Sequence, residues 1–394
     1  MDGDCDPDPR QYFGRHKLSL PSPSLCISLP IVRSNAAQLH DNINKAAVTL
    51  RAHLKTNKTT EITRIMLGKI TKKVAISTLT EAQGLRSLIA DGTVDDILWA
   101  IPISPSVLPA LDRLSRQANL HFMVDHLDQI YFLAQYHRLQ SISEPWSLFI
   151  KLDLGSKRAG VRPDSPQLPA LMNAIESSSA VKLTGIYSYP ARMGRSWSFD
   201  TAKLVLQEHV SALKDVASLR SKPSSSLVLA IGSSITARVI KSVDIDLPSK
   251  LTLEIVAGTT IYNDLQQLAT GTITRADLAM TVIAEVCSVY EDRNEVLINA
   301  GVLALTREPG DIVGLARVRG LEHEGWVVER VSQEHGILVY TGSQKCSVQE
   351  MWKIGNKLVL DVQHTCIVGA MYGWHFITDE EGIVRDVYTP WKWW

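Results

Sequence analysis

Residues 96–139, DILWAIPISPSVLPALDRLSRQANLHFMVDHLDQIYFLAQYHRL, contain the pattern that decides the expected fold. Two short apolar runs, Asp96–Ile101 and Leu120–Val124, are each followed by a longer stretch with apolar residues at helical spacing, Ser106–Gln117 and Leu127–Leu139. Short strands that are apolar on both faces, separated by helices, are typical of a parallel sheet. This stretch therefore predicts consecutive β–α units.

The same alternation extends outward from about residue 25 to about residue 275. Further strands are expected at Leu25–Ile31, Val74–Ser77, Leu148–Leu152, Val181–Ser188, Leu227–Ile231 and Leu251–Val256, and further helices at Asn35–Leu54, Glu81–Ala90, Leu168–Ser177 and Thr201–Leu219. About eight such units over roughly 250 residues match a (β/α)8 barrel of the TIM type. A doubly wound open sheet is the alternative, but no GxGxxG sequence follows a first strand.

The pattern changes after about residue 275, where short strand candidates follow one another without helices. They are Val282–Val289, Glu295–Ile298, Gly325–Val331, Gly336–Tyr340 and Lys357–Val362. Such a run indicates an antiparallel β domain. The expected α/β chain therefore has an N-terminal segment (1–24) that packs on the β domain, a barrel (25–274) and the C-terminal β domain (275–394).

Composition narrows the class of function. The 394 residues carry a formal net charge of zero, which argues against nucleic acid or an anionic membrane as a partner and leaves a small molecule as the expected one. Five widely spaced cysteines indicate a reducing compartment rather than a disulfide framework. The acidic N-terminus is unlike a signal peptide, and no apolar run is long enough to span a bilayer. We expect a soluble cytoplasmic protein.

A basic segment, RAHLKTNK (51–58), is the first candidate for chemistry. A barrel carries its active site at the carboxyl ends of its strands, and a lysine there can form a Schiff base if burial lowers its pKa. Lys55 is the candidate nucleophile. The alternative is a basic surface loop.

A second segment, KLDLGSKRAGV (151–161), ends a buried strand with a carboxylate, a glycine and an arginine. Arg158 is a fixed cation that can hold an anionic group, although a structural pair with Asp153 in a turn is an equally good explanation. Two glycine-bearing turns, Gly232-Ser233-Ser234 and Gly258-Thr259-Thr260-Ile261-Tyr262, follow later strands. Turns of this kind bind anions, and barrel phosphate sites cluster after the last strands.

A third segment, QHTC (363–366), places a histidine two residues before a cysteine. On a strand these residues share a face, so His364 and Cys366 can bind one ion. Imidazole and thiolate suit zinc, and open coordination positions allow a catalytic site. The alternative is a core cysteine beside a histidine with other partners.

The order of these segments resembles the D-serine dehydratase and D-threonine aldolase family, whose members are fold type III pyridoxal-phosphate enzymes. RAHLKTNK resembles the family's RPHxKTHK, whose first lysine carries the cofactor, and KLDLGSKRAGV resembles the DxGxxRxGV shared with alanine racemases. YFGRHKLSLPSPSLCI (12–27) resembles the family's opening. The resemblance covers nearly the whole chain and implies a barrel with an added β domain, and a homodimer. It also implies that Lys55 holds pyridoxal phosphate, that Arg158 approaches its phenolic oxygen, and that the phosphate lies among Ser233, Ser234, Gly258, Thr259 and Tyr262.

The C-terminal segments carry the choice of reaction. QHTC resembles the family's PNHAC, and SQEHG (332–336) resembles its SEEHG. A histidine with a cysteine is the pattern of eukaryotic zinc-dependent D-serine dehydratases, whereas a histidine with an aspartate is more typical of the manganese-using aldolases. The resemblance implies zinc on His364 and Cys366, with His335 either supporting a metal ligand or facing the substrate. It favours elimination of water from a D-β-hydroxy amino acid over retro-aldol cleavage to glycine and an aldehyde.

Several positions depart from the family pattern. Tyr189 stands where the family has histidine, and Gly194 where it has the tyrosine that addresses the pyridine nitrogen. Trp197 could take that place if the loop is longer, but an indole donates a hydrogen bond and accepts none. Asn299 replaces the aspartate of a DAG sequence. A changed substrate is expected, and an inactive homologue that binds the cofactor is the alternative from another class.

Overall fold

The computed structural model describes residues 8–190, 198–221, 226–343 and 346–393. The chain divides into two compact units, one formed by residues 38–260 with 391–394 and the other by residues 1–37 with 261–390. Among the described residues, no helix has both the length and the apolar character needed to cross a membrane.

The described strands, in chain order, are β1 (Ser24–Ser28), β2 (Thr49–His53), β3 (Lys73–Ile76), β4 (Asp96–Pro102), β5 (Asn119–Val124), β6 (Trp146–Leu152), β7 (Val181–Ser188), β8 (Leu227–Gly232), β9 (Leu251–Ala257), β10 (Met280–Tyr290), β11 (Glu295–Ile298), β12 (Ala316–Val318), β13 (Trp326–Val331), β14 (Gly336–Tyr340), β15 (Lys357–Val362), β16 (His375–Thr378) and β17 (Val384–Tyr388). The described α-helices are α1 (Leu29–Lys45), α2 (Thr60–Leu67), α3 (Leu79–Gly84), α4 (Arg86–Ala90), α5 (Leu108–Ser115), α6 (Leu127–Leu139), α7 (Gln167–Ser177), α8 (Phe199–Ser218), α9 (Ser234–Val239), α10 (Leu265–Leu268), α11 (Val348–Met351) and α12 (Thr365–Met371).

The first unit is the predicted barrel. Strands β2 to β9 pair in sequence order, all in parallel, and β9 closes on β2 with Ile255 beside Leu50. Side chains from seven of these described strands fill the interior and form one buried cluster: Ala75, Leu98, Met123, Phe149, Tyr187, Ala230 and Val256. Every strand therefore ends at one mouth of the barrel, where a TIM barrel carries its chemistry.

The start of the barrel differs from the expectation. The predicted helix Asn35–Leu54 is wrong in its second half, because α1 ends at Lys45 and Thr49–His53 forms β2. Ala47 has a φ of 51°, a left-handed conformation that ends the helix. The predicted barrel strand at Leu25–Ile31 is β1, which pairs with β10 and β16 in the other unit. The barrel thus lacks the predicted strand that became β1 and contains β2, which was not predicted. The number of described barrel strands is therefore still eight.

The second unit contains the predicted antiparallel domain. Nine of the described strands form one sheet in the order β11–β14–β13–β12–β15–β10–β1–β16–β17, with β1 and β16 the parallel neighbours. A buried cluster joins the N-terminal segment to this sheet through Leu20, Cys26, Ile283, Phe376 and Val384. The domain boundaries at residues 24 and 274 stay predictions, although the strand at 24–28 belongs to this unit.

Candidate active site

Lys55 lies in a turn directly after β2, the first barrel strand. The Lys58 amide donates to the Leu54 carbonyl at 2.9 Å, which closes the turn around Lys55. The Lys55 amide donates to Nδ1 of His53 at 3.4 Å. The structure therefore places the predicted lysine at the carboxyl end of a barrel strand, partly buried rather than on an open surface loop.

Positive charge is concentrated around this turn. Burial, together with Lys55, Lys151 and then Lys58 and Arg158, lowers the pKa of His53 well below its usual value. Burial and the neighbouring Arg158 likewise lower the pKa of Lys151 to about 8. Cations brought together in this way attract an anionic ligand, because binding such a ligand relieves their mutual repulsion.

Two tyrosines, Tyr187 near the end of β7 and Tyr189 directly after it, lie beside these cations. The guanidinium carbon of Arg158 lies 4.2 Å from the centre of the Tyr189 ring, and Nζ of Lys151 lies 4.7 Å from that of Tyr187. Asp153 accepts hydrogen bonds from the amides of Gly155 and Lys157, so its carboxylate organises the turn that presents Arg158. The structure brings together the predicted residues Lys55, Arg158 and Tyr189.

The two glycine-bearing turns meet each other. The Thr259 amide donates to Oγ of Ser234 at 3.1 Å, and the Ser233 amide donates to the Val256 carbonyl at 3.0 Å. Ser233 has a φ of 142°, a conformation that L-residues rarely adopt and that is strained unless the surroundings hold it. Such strain is concentrated at ligand-binding turns.

These turns also lie against the turn that carries Lys55. A Cβ atom at Gly258 would lie 2.6 Å from the His53 carbonyl oxygen and 3.3 Å from Oγ1 of Thr56, so only glycine fits there. The amides and hydroxyls of these turns, beside a lysine and an arginine, fit a phosphorylated pyridine cofactor. Tyr262, the fifth predicted phosphate residue, is fully buried and belongs to the other unit.

His364 and Cys366 are in contact, although not for the predicted reason. The prediction of a strand at 364–366 is wrong: β15 ends at Val362, His364 is the N-cap of α12, and Cys366 lies in its first turn. The chain bends from strand to helix between them, and the Cys366 thiol hydrogen-bonds with the His364 imidazole.

Carboxylates complete this environment. Nδ1 of His364 lies 2.5 Å from Oε2 of Glu308, and the buried Asp264 accepts from the Thr365 amide at 3.2 Å. Burial lowers the pKa of His364, but hydrogen bonds with Cys366 and Glu308 outweigh it and raise that pKa to about 11. Anionic groups thus converge on one imidazole.

A divalent metal fits this donor set. Imidazole nitrogen and thiolate sulfur suit zinc, and a carboxylate on the second ring nitrogen is the usual partner that orients a metal-bound histidine. Within the described chain, no group of three or more His, Cys, Asp and Glu residues is placed to hold a metal ion. Glu308 was missed because it is 56 residues before His364 in an irregular loop, without a motif to mark it.

The remaining predicted residues have different outcomes. His335 is exposed in the turn between β13 and β14. Asn299 holds local structure, since its amide accepts from the Glu285 backbone and donates to the carbonyl of Ser22, a donation that aspartate could not make. Gly194 and Trp197 lie outside the described residues.

Comparisons with known proteins show the family of this chain. Residues 279–378 match the family model described as putative serine dehydratase domain, and residues 27–240 match the alanine racemase N-terminal domain. D-serine dehydratase of Schizosaccharomyces pombe is 35% identical over 98% of this chain and 95% of its own length. D-serine dehydratase of Saccharomyces cerevisiae is 33% identical over 98% of this chain and 99% of its own length.

Solved structures support the fold. D-threo-3-hydroxyaspartate dehydratase from Delftia sp. HT23 superposes with a TM-score of 0.83 at 24% identity, covering 96% of this chain and all of that one. A D-threonine aldolase from Filomicrobium marinum superposes with a TM-score of 0.74 at 20% identity, covering 96% of this chain and 97% of that one. A D-threo-3-hydroxyaspartate dehydratase has also been solved as a cysteine-to-alanine mutant in a metal-free form.

Proposed function

We propose that this chain, which belongs to the D-serine dehydratase family and is a lyase dependent on pyridoxal phosphate, eliminates water from a D-β-hydroxy amino acid to give a 2-keto acid and ammonia. The observation that carries the proposal is the contact between Cys366 and His364, with Glu308 on the second ring nitrogen. That arrangement suits a catalytic zinc ion with open coordination positions.

The geometry of the barrel mouth supports the residues proposed to hold the cofactor. Lys55 would bind it covalently, Arg158 would face its phenolic oxygen, and Tyr189 would pack beside that arginine. The phosphate would lie against the two turns, at Ser233, Ser234, Gly258 and Thr259, with Tyr262 following them. When bound, pyridoxal phosphate supplies an electron sink for the charge that develops on the substrate Cα.

This chain's own groups would then move the protons. Nζ of Lys55, in the first turn after β2, would take the α-proton of the substrate as general base. Zinc on His364 and Cys366 would supply a Lewis acid for the departing β-hydroxyl. Glu308 would orient the His364 ring, and the exposed His335 would contact the substrate.

Removal of the metal tests the assignment. EDTA should abolish release of ammonia from D-serine or D-threo-3-hydroxyaspartate without unfolding the protein, and zinc should restore it. Cys366→Ala should keep the visible absorbance of the bound cofactor and the exchange of the substrate α-hydrogen in D2O, yet lose elimination, because Lys55 performs the first step and the metal the second.

A matched control is available in Cys287, which is exposed on β10 and should tolerate alanine without change. Elimination by Cys366→Ala at the parental rate would show that the pair is a core contact and not a metal site. Formation of glycine and an aldehyde would assign the aldolase reaction instead, and a chain that binds the cofactor but turns over neither substrate would be an inactive homologue. The expected homodimer and cytoplasmic location stay predictions, testable by light scattering and by fractionation.

A further inference from the structure

The C-terminal tail (Trp391–Trp393) returns to the barrel unit and reaches the turn that carries Lys55. The Trp391 amide donates to the Lys58 carbonyl at 2.6 Å, and the Lys58 amide donates to the Leu54 carbonyl at 2.9 Å. Lys58 therefore accepts a hydrogen bond from the tail through its carbonyl and donates one to Leu54 through its amide. The tail is thus connected through Lys58 to the hydrogen bond that closes the turn around Lys55.

A second contact anchors the tail on α3. The indole of Trp391 occupies the space beside Gly84, the last residue of that helix, so closely that a Cβ atom at Gly84 would overlap the ring. The Trp391 ring therefore packs directly on the backbone of Gly84. An unsubstituted backbone lets an aromatic ring approach a helix more closely than any side chain would allow.

A third contact joins α3 back to the turn. Nζ of Lys58 lies 2.8 Å from Oε1 of Glu81, which is fully buried and accepts the Ser77 amide at 2.7 Å through its other oxygen. Lys58, Glu81, Gly84 and Trp391 therefore form a closed ring of contacts around one end of the turn.

The turn needs such support. Lys58 has a φ of 46°, a left-handed conformation that non-glycine residues seldom adopt without constraint. Its carbonyl and its side chain are both held from outside, by the tail and by Glu81. An ordered turn keeps a reacting amine within the narrow range of positions that catalysis requires.

We propose that the C-terminal tail is a latch that holds the Lys55 turn in its reactive geometry, with Trp391 as a positioning residue that acts through Lys58. The role of Lys55 itself rests on the proposed function. Trp391 contacts neither substrate nor cofactor in this scheme. Its contribution is to limit the movement of the backbone from Leu54 to Lys58.

A double-mutant cycle between Gly84 and Trp391 tests the latch from both sides of the contact. Trp391→Ala removes the ring, and Gly84→Ala places a methyl group where the ring lies. Each should raise hydrogen exchange of the peptide covering residues 54–60 about tenfold, equivalent to about 1.4 kcal/mol. In the Trp391→Ala background, Gly84→Ala should cause no further increase in hydrogen exchange, because the ring with which the new methyl group would clash is already absent.

Further readouts separate positioning from general destabilisation. In the holoenzyme of full length, Trp391→Ala should speed release of pyridoxal phosphate about tenfold and lower kcat more than it changes KM. Trp391→Phe, which keeps an aromatic ring and the amide, should recover most of both losses. Trp393→Ala is the matched control, because that side chain is 67% exposed and its removal should change neither quantity.

Three outcomes would overturn the proposal. One is exchange of residues 54–60 that does not change in either single variant. A second is a Gly84→Ala effect of the same size with or without Trp391. A third is faster exchange with unaltered cofactor release and kcat. Failure of the proposed function would differ from these, because borohydride would then label a lysine other than Lys55 while exchange, measured with the cofactor removed, still reported on the tail.

Discussion

Replacing Arg51 by methionine should lower the free energy of unfolding by about 3–5 kcal/mol. Arg51 lies inside the barrel with a side chain that is 1% exposed, and it is 2.6 Å from both Oε1 of Glu254 and Oδ1 of Asp96. Its NH1 also donates to the Val74 carbonyl at 3.1 Å. Methionine retains the hydrophobic packing of the arginine stem but leaves the buried Glu254 carboxylate without its main partner.

The size of the loss in unfolding free energy depends on which partners Glu254 retains in the methionine variant. Nζ of Lys73 lies 3.0 Å from Oε2 of Glu254, and this lysine is partly exposed, so it moderates the loss toward about 3 kcal/mol. Adding Glu254→Gln to the methionine variant should restore part of the stability, with a coupling energy on the order of 1–3 kcal/mol. Lys45→Met, which breaks an exposed pair with Asp41, is the control and should cost less than about 0.5 kcal/mol.

The deficit of the methionine variant should also depend on pH. Burial raises the pKa of Glu254, but Arg51 and Lys73 outweigh it and hold that pKa below 4.5 in the parent, so the contribution of Glu254 to stability is present above 4.5 and is lost as pH falls. Without Arg51, burial should raise the folded-state pKa above the unfolded value, and stability then falls as pH rises. The gap between variant and parent should therefore narrow between pH 7.5 and pH 5.

Urea unfolding followed by circular dichroism measures both effects, because urea does not screen charge and the unfolding free energy extrapolates linearly to water. A variant that unfolds at the parental urea concentration would refute the reasoning. So would a deficit of constant size across that pH range, since it would show that the loss comes from packing and not from an uncompensated carboxylate.

Three further predictions concern the active site. Borohydride reduction of the holoenzyme followed by peptide mapping should place the pyridoxyl group on Lys55, and label on Lys58 or Lys151 would contradict the assignment. Ser234→Asp should weaken binding of pyridoxal phosphate, measured by absorbance titration, because a carboxylate would face the phosphate, whereas Ser234→Ala should have a smaller effect. Glu308→Gln should weaken zinc binding about 10- to 100-fold, measured with a competing chelator, while the cofactor absorbance stays unchanged. Equal zinc affinity of this variant and the parent protein would show that Glu308 does not contribute to the metal site.

The linear sequence was sufficient for the class of fold and for most of the candidate site. Short apolar runs between amphipathic stretches predict barrel units, because strands covered on both sides must be apolar on both faces. Arg158 and the two glycine-bearing turns each follow such a run, so their place at the carboxyl end of the barrel was predictable before any contact was known. Lys55 was selected despite a wrong assignment of the preceding residues, because the selection depended on the resemblance of RAHLKTNK to the family's segment and not on the element before it.

Only the tertiary structure decided which partners these elements have. The run at 24–28 is equally suited to either sheet, and its pairing with β10 and β16 depends on strands that are more than 250 residues away. In the sequence Arg51 belongs to a basic segment that could lie on the surface, yet its side chain is buried and pairs with Glu254 and Asp96. Glu308 contacts His364, which lies 56 residues further along the chain. Local hydrophobicity reports how much a segment is buried, whereas hydrogen bonds and ion pairs form between residues far apart in sequence, so the folded chain alone determines them.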